Sequence, residues 1–226
     1  MSKETGLAQA GSRQELAYAG MRERIRDGRY GAGSRLVISE IAKELGTSPI
    51  PVREALRRLE AEGLVKFLHN QGAVVRRISA QDYVETLQSL AMLEGFISQL
   101  VADDIDAKGI AALRAMNARM AAAWAAGDFG RFGGLNKDFH YIIYGYCSNV
   151  LLVDFANTAW TRLENVRQTS LALLPGRGQT TVAEHDVLIA AFESREPKSR
   201  IESLAREHKL ATIRHFRQWQ AELGAS

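Results

Sequence analysis

The chain has 226 residues, 46% of them hydrophobic and 24% charged, with a formal net charge of +3. This composition supports packed cores and excludes an intrinsically disordered chain, and no apolar run reaches the ~18 residues of a membrane span. A single cysteine, Cys147, and an opening Met1–Gly6 without the apolar core of a signal peptide lead us to expect a cytoplasmic protein that binds no membrane.

The length suits one or two domains. Residues 1–78 hold 14 Lys/Arg against 9 Asp/Glu, whereas residues 79–226 hold 15 against 17. The positive charge therefore lies in the first third of the chain, as an electrostatic footprint for DNA requires.

Residues 1–10 read as a frayed, disordered tail. Ser12 then suits the N-cap of a helix running to about Arg29, closed by Tyr30-Gly31-Ala32-Gly33. A second helix is predicted over Ile38–Leu45, with Gly46 in the left-handed position that ends it. Ser48 suits the next N-cap, and Pro49 and Pro51 fall in a first turn whose N–H groups have no intrahelical partner. Val52, Ala55, Leu56 and Leu59 form the apolar face of that helix, and Arg53, Arg57 and Arg58 lie off it. Gly63 closes it. Leu64–Leu68 and Ala73–Ile78 read as two strands joined through His69–Gly72.

A helix-turn-helix followed by a hairpin is a winged helix, which sets its second helix in the DNA major groove. Ser48, Ile50, Arg53, Arg57 and Arg58 are the candidate contacts from that helix. Gly72 at the hairpin turn and Arg76, with Lys66 and Arg77, are candidates from the wing. The competing reading, an unrelated helix and hairpin with solvated arginines, does not account for cap, turn, prolines and hairpin occurring in one order.

From Ala80 the pattern is helical throughout. Helices are predicted near 80–103, 106–126, 128–147, 149–174, 179–194 and 197–223, broken by Asp103-Asp104, Gly127-Asp128, Ser148-Asn149, Pro175-Gly176 and Glu196-Pro197. The expected fold is mainly α: a winged helix over residues 1–78, then an all-α bundle over 79–226.

Four of the five histidines fall inside these helices; His140, His185 and His208 are the candidate ligands, and His215, late in the last helix, receives no role. Asn136 lies four residues before His140, on the same helix face. His185 is read as lying near the start of its helix. The stripe Ile201, Leu204, His208, Ala211, Trp219 turns His208 inward. Three imidazoles and an oxygen donor would suit a divalent transition metal such as zinc, nickel or manganese. Spacings of 45 and 23 residues between the histidines do not distinguish this from ordinary packing.

The run Leu45-Gly46-Thr47-Ser48, with Pro51-Val52-Arg53-Glu54-Ala55-Leu56-Arg57-Arg58-Leu59 after it, resembles the GntR family of bacterial transcription regulators. Leu93-Glu94, Asn136–His140, Ser148-Asn149, Pro175–Arg177, Glu184-His185 and Glu207-His208 resemble, in order and spacing, the FCD type of effector domain. The resemblance implies a metal held by Asn136, His140, His185 and His208, serving as anchor for a small carboxylate effector. It also implies a homodimer on a palindromic double-stranded operator, commonly as a repressor released by its ligand.

The sequence departs from the family at two places. Leu90 stands where relatives carry an arginine, which moves the anion clamp elsewhere; Arg162 and Arg167 are the candidates, with Tyr144 lining the pocket. Pro49 and Ile50 replace a usual Arg-Thr pair, so base readout falls to Arg53, Arg57 and the Ile50 methyl groups. Two other classes fit the same residues. One is a metal-dependent hydrolase with Glu184 as base; the other is a ligand-independent DNA-binding protein with structural histidines.

Overall fold

The computed structural model describes the backbone of residues 2–69, 72–76, 79–169, 174 and 176–224. Side chains are described over the same residues except 2–12, 26, 165–169, 223 and 224. Two compact units form, Met1–Ala80 with Glu164–Ala172, and Gln81–Leu163 with Leu173–Ser226.

In the first unit the described elements are α1 (Ser2–Arg26), β1 (Arg35–Leu36), α2 (Ile38–Glu44), α3 (Pro49–Ala61), β2 (Val65–Leu68) and β3 (Gly72–Val75). Helix α1 starts ten residues before Ser12; the stretch Leu7–Ala10 is made of good helix formers and lacks proline. The strands make a small antiparallel sheet in the order β1-β3-β2, with Val65 opposite Val75 and Arg35 opposite Val74. Strand β1 has two residues, too few for any alternation to show in the sequence.

The core of this unit joins Met21 and Ile25 of α1, Ile41 of α2, the α3 face Val52, Ala55, Leu56 and Leu59, and Leu64, Val65 and Val75 of the hairpin. The fourfold spacing of that α3 face is what packs the helix and leaves its arginines outside. Gly46 has φ +62°, a value open to glycine, and so lets the chain turn from α2 into α3.

One local expectation is corrected. Ser48 occupies the N-cap position with extended backbone, but its side chain makes no capping hydrogen bond. A cap oxygen ordinarily accepts from the second or third helical N–H. Pro51 fills the third position and has no N–H, so half of the usual target is missing.

The remaining described elements are all helices, α4 (Ala80–Leu100), α5 (Ala107–Ala125), α6 (Phe129–Tyr144), α7 (Val150–Thr169), α8 (Arg177–Glu193) and α9 (Lys198–Gly224); they make up the second unit except for Ala80 and the end of α7 from Glu164, which fall with the first. Asp106 and Asp128 cap α5 and α6 by accepting from the N–H groups of Gly109 and Arg131. Helix α5 packs on α6 and α8, and α8 packs on α9. Gly178 permits the α5–α8 approach: a Cβ there would lie 2.0 Å from a ring carbon of Trp124. None of the described helices is long and apolar enough to cross a membrane.

Candidate functional site

The outer surface of α3 carries the predicted DNA contacts. Ser48, Ile50, Arg53, Arg57 and Arg58 are all exposed, Ile50 by 71%. Within this unit a cleft of about 400 Å³ opens between the start of α2, the first turn of α3 and the β2–β3 hairpin, with Arg35, Arg53 and Gly72 on its walls. Arg35 escaped the sequence reading because β1 is so short. Gly72 has φ +73° and pairs with Leu68 at the hairpin end. Arg76 is half-buried beyond β3, its N–H donating to the Leu64 carbonyl. Arg77 lies outside the described residues.

Arg58 differs from its neighbours. Its guanidinium lies 3.6 Å from the centroid of the Tyr18 ring and donates to Glu15 Oε2 at 2.7 Å. Glu62 Oε1 is 3.5 Å away and also accepts from the Tyr18 hydroxyl at 2.7 Å. Burial and this hydrogen bond push the Tyr18 hydroxyl up to about 12. Arg58 thus ties α3 to α1, where the sequence suggested a side chain free for DNA. Arg57 reaches only Glu54, at 3.6 Å, and stays open to solvent.

In the second unit the three separated histidines converge. His140, His185 and His208 are all buried, and one ring nitrogen from each lies within 4.8 Å of the others. His140 projects from α6, His208 from α9 and His185 from the third turn of α8, since α8 begins at Arg177, before the predicted 179. On α9 the inward stripe is Ile201, Ala205, His208, Lys209, Thr212 and Phe216; Leu204, Ala211 and Trp219 are only half-buried. The stripe is thus rotated from the predicted one, while His208 remains inside.

Each ring turns its Nδ1 toward an oxygen. His185 Nδ1 is 3.2 Å from Asn117 Oδ1, an atom committed to accepting because Asn117 Nδ2 donates to the Val182 carbonyl and Asp186. His208 Nδ1 is 2.6 Å from Glu184 Oε2, and His140 Nδ1 is 3.2 Å from Glu94 Oε2. Acceptors at Nδ1 place the proton there and leave the lone pair on Nε2. The Nε2 atoms of His185 and His208 face each other at 3.3 Å. Burial, reinforced by the charges of His208 and Lys209, holds His185 well below the ordinary histidine range and so neutral. Phe139 stacks on its ring at 3.8 Å.

Beside the histidines is a second buried network. Tyr144 donates to Glu94 Oε1 at 2.8 Å, and the Trp160 indole donates to the same oxygen at 3.0 Å. Burial pushes the Glu94 carboxyl up, opposed first by the charge of Lys209. Lys209, 3% exposed, places Nζ 2.9 Å from His140 Nε2 and 3.2 Å from Glu94 Oε2. The sequence reading passed over Lys209. The signal was its i+4 and i−3 relation to Ala205 and Thr212 on the buried stripe.

The other expectations divide. Tyr144 is buried in the network, as a pocket residue would be. Arg162 is exposed on α7, unlike the buried Trp160 before it, so it does not supply a cation to this interior. The side chain of Arg167 lies outside the described residues. Glu184 has no freedom to act as a hydrolytic base: Arg177 grips both its oxygens, at 2.9 and 2.6 Å, and His208 takes one of them.

The donor set fits a divalent transition metal on two observations. Converging Nε2 lone pairs, with the Nδ1 atoms of His185 and His208 on acceptors and that of His140 facing the Glu94 carboxylate, form the outer support metal-binding histidines require. Asn136 Oδ1, on the face of α6 that carries His140, is buried without a hydrogen-bond partner. An orphaned buried acceptor costs about 1–3 kcal/mol unless a ligand satisfies it.

A winged helix with an exposed basic helix, followed in the chain by an all-helical domain with a polar interior, fits a DNA-binding regulator. Residues 13–75 match the bacterial regulatory proteins of the gntR family and residues 85–211 match the FCD domain, so the chain belongs to the GntR family, FCD type. It is 30% identical over 176 residues to the probable D-xylose utilization operon transcriptional repressor of Paenarthrobacter nicotinovorans, covering 77% of this chain and 76% of that one. It is 28% identical over 207 residues to the HTH-type transcriptional regulator YdhC of Bacillus subtilis, covering 88% and 86%. Its fold is similar to the solved structure of E. coli McbR/YncC, with a TM-score of 0.72 at 21% identity over 92% of this chain and 98% of that one. The two relatives in sequence are named as transcription regulators, and the chain is a transcription regulator of the GntR/FCD type.

Proposed function

We propose that the protein is a metabolite-responsive repressor. It binds a palindromic operator as a homodimer and senses a small carboxylate in its helical domain. The observation that carries the sensing role is the buried convergence of His140, His185 and His208, with two Nε2 atoms facing each other at 3.3 Å. Two lone pairs in contact need a shared proton or a cation between them.

Asn136, His140, His185 and His208 would hold a divalent transition metal, zinc, nickel or manganese, which when bound supplies a Lewis-acidic seat for a carboxylate. Glu94, Asn117 and Glu184 orient the rings, and Tyr144 and Trp160 form a buried polar wall beside them. Arg53, Arg57 and Ile50 read the operator, with Arg35, Gly72 and Arg76 beside them for phosphate contact. Repression rather than activation follows the relative that acts on a D-xylose utilization operon. A dimer is supported by Met92, Phe96 and Leu100, three large apolar side chains exposed at one-turn spacing on α4.

The test is a melting series. The protein is melted as purified, after chelator stripping, and after returning zinc, nickel or manganese, with operator affinity measured on each sample. A ligand bound only by the native state stabilises it by mass action. The reading expects a lower melting temperature after stripping, restored by one metal, and carboxylate-dependent release of DNA. Unchanged melting together with DNA affinity indifferent to carboxylates would instead make the histidines structural.

A further inference from the structure

We propose that Lys209 is the resident cation of the histidine cluster, and that its ammonium and a divalent metal exclude one another there. The proposal rests on the reading of this cluster as the sensing site, and concerns which cation this chain places in it.

The geometry is specific. Lys209 Nζ lies 2.9 Å from His140 Nε2, 3.2 Å from Glu94 Oε2 and 4.4 Å from the centroid of the Trp160 ring. With Glu94 Oε2 beside His140 Nδ1, the single lone pair of that ring is on Nε2, and the ammonium uses it. A metal ligated by His140 needs the same lone pair. One pair of electrons does not serve both.

Charge leads to the same conclusion. Lys209 is balanced by Glu94, which is 2% exposed and so shielded from bulk solvent. The nearby Glu184 is already matched by Arg177. A dication arriving beside Lys209 therefore meets an ammonium at close range in a weakly screened interior. Metal loading requires the lysine to withdraw from His140, and that withdrawal opposes binding. With Lys209 in place, the cation offered to an anionic ligand is an ammonium.

Zinc or nickel alone, titrated by equilibrium dialysis with metal analysis, tests this. Wild type is compared with Lys209→Met and with Glu94→Gln/Lys209→Met, which removes both charges together. The double variant keeps the test alive if the single one, left with an unbalanced buried carboxylate, fails to fold. The expected result is one metal per chain in a folded variant, bound on the order of tenfold or more tightly than by wild type. Adding His185→Ala should remove that metal. Equal and tight binding by wild type and variants overturns the exclusion and leaves the metal-site reading standing. No binding by any of them overturns both, because the histidines then hold no metal even with the ammonium gone.

Discussion

Arg53 and Arg58 sit five residues apart on one helix and are put to different uses by their neighbours. Arg53 faces a cleft and meets no carboxylate there, so its guanidinium is available to base or phosphate. Arg53→Ala should cost about 1–3 kcal/mol in operator affinity with an unchanged melting temperature, measured by fluorescence anisotropy and thermal unfolding. Arg58→Ala should do the reverse. Loss of its stacking on Tyr18 should cost about 0.5–1 kcal/mol of folding stability, read in urea unfolding, with little direct effect on DNA contacts.

Tyr18 adds a pH dependence whose sign follows from its raised hydroxyl. Burial, then the hydrogen bond to Glu62, holds it at about 12 against an ordinary value of 10.0. The unfolded chain therefore loses this proton first. The stabilisation is complete below pH 10.0 and is lost as pH rises through about 12. Alkaline unfolding of wild type should show this loss, and Tyr18→Phe should lack that component.

At the scale of elements, close approach and exposed faces dominate. Helix α8 delivers His185 to the cluster, and Gly178 lets α8 lie against Trp124 of α5. A Cβ at 2.0 Å from the Trp124 ring cannot be accommodated without moving that ring or one of the two helices. Gly178→Ala should destabilise the protein by roughly 1–3 kcal/mol, as overpacking does, and should weaken metal uptake in parallel. On α4, Met92, Phe96 and Leu100 remain exposed along one face. If this face joins two copies, Phe96→Asp should convert a dimer to a monomer in light scattering and weaken operator binding while leaving the helical signal of each chain intact. A dimer that survives the substitution would place the interface elsewhere.

At the scale of the molecule, the two units divide the labour. The basic unit holds the exposed arginines of α3 and the polar interior of the helical unit holds the three clustered histidines, which matches the charge division of the sequence. If the helical unit senses a ligand as proposed, the coupling cannot exceed that ligand's differential affinity for the DNA-competent and incompetent states. The balance of buried charge inside the helical unit, Glu94 with Lys209 and Glu184 with Arg177, therefore bears on how strongly any ligand acts.

The winged helix was legible because its signals are local. Gly46, the two prolines after Ser48, the four-residue spacing of Val52, Ala55, Leu56 and Leu59, and Gly63 each act within a turn or two of the chain. The helices of the second unit were legible for the same reason, through breaks such as Asp103-Asp104 and Gly127-Asp128 and the helix-forming stretches between them. The family followed from those motifs in their order, as did the three histidines as candidates. Their meeting did not follow, because rings 45 and 23 residues apart are brought together only by the packing of α6, α8 and α9. Tertiary structure also decided that Arg58 binds Tyr18, that Glu184 is locked by Arg177, and that Lys209 rather than Arg162 brings positive charge to the cluster. In each case the sequence determined which groups were available, and long-range packing selected their partners, since hydrogen bonds and ion pairs depend on distances that no local pattern encodes.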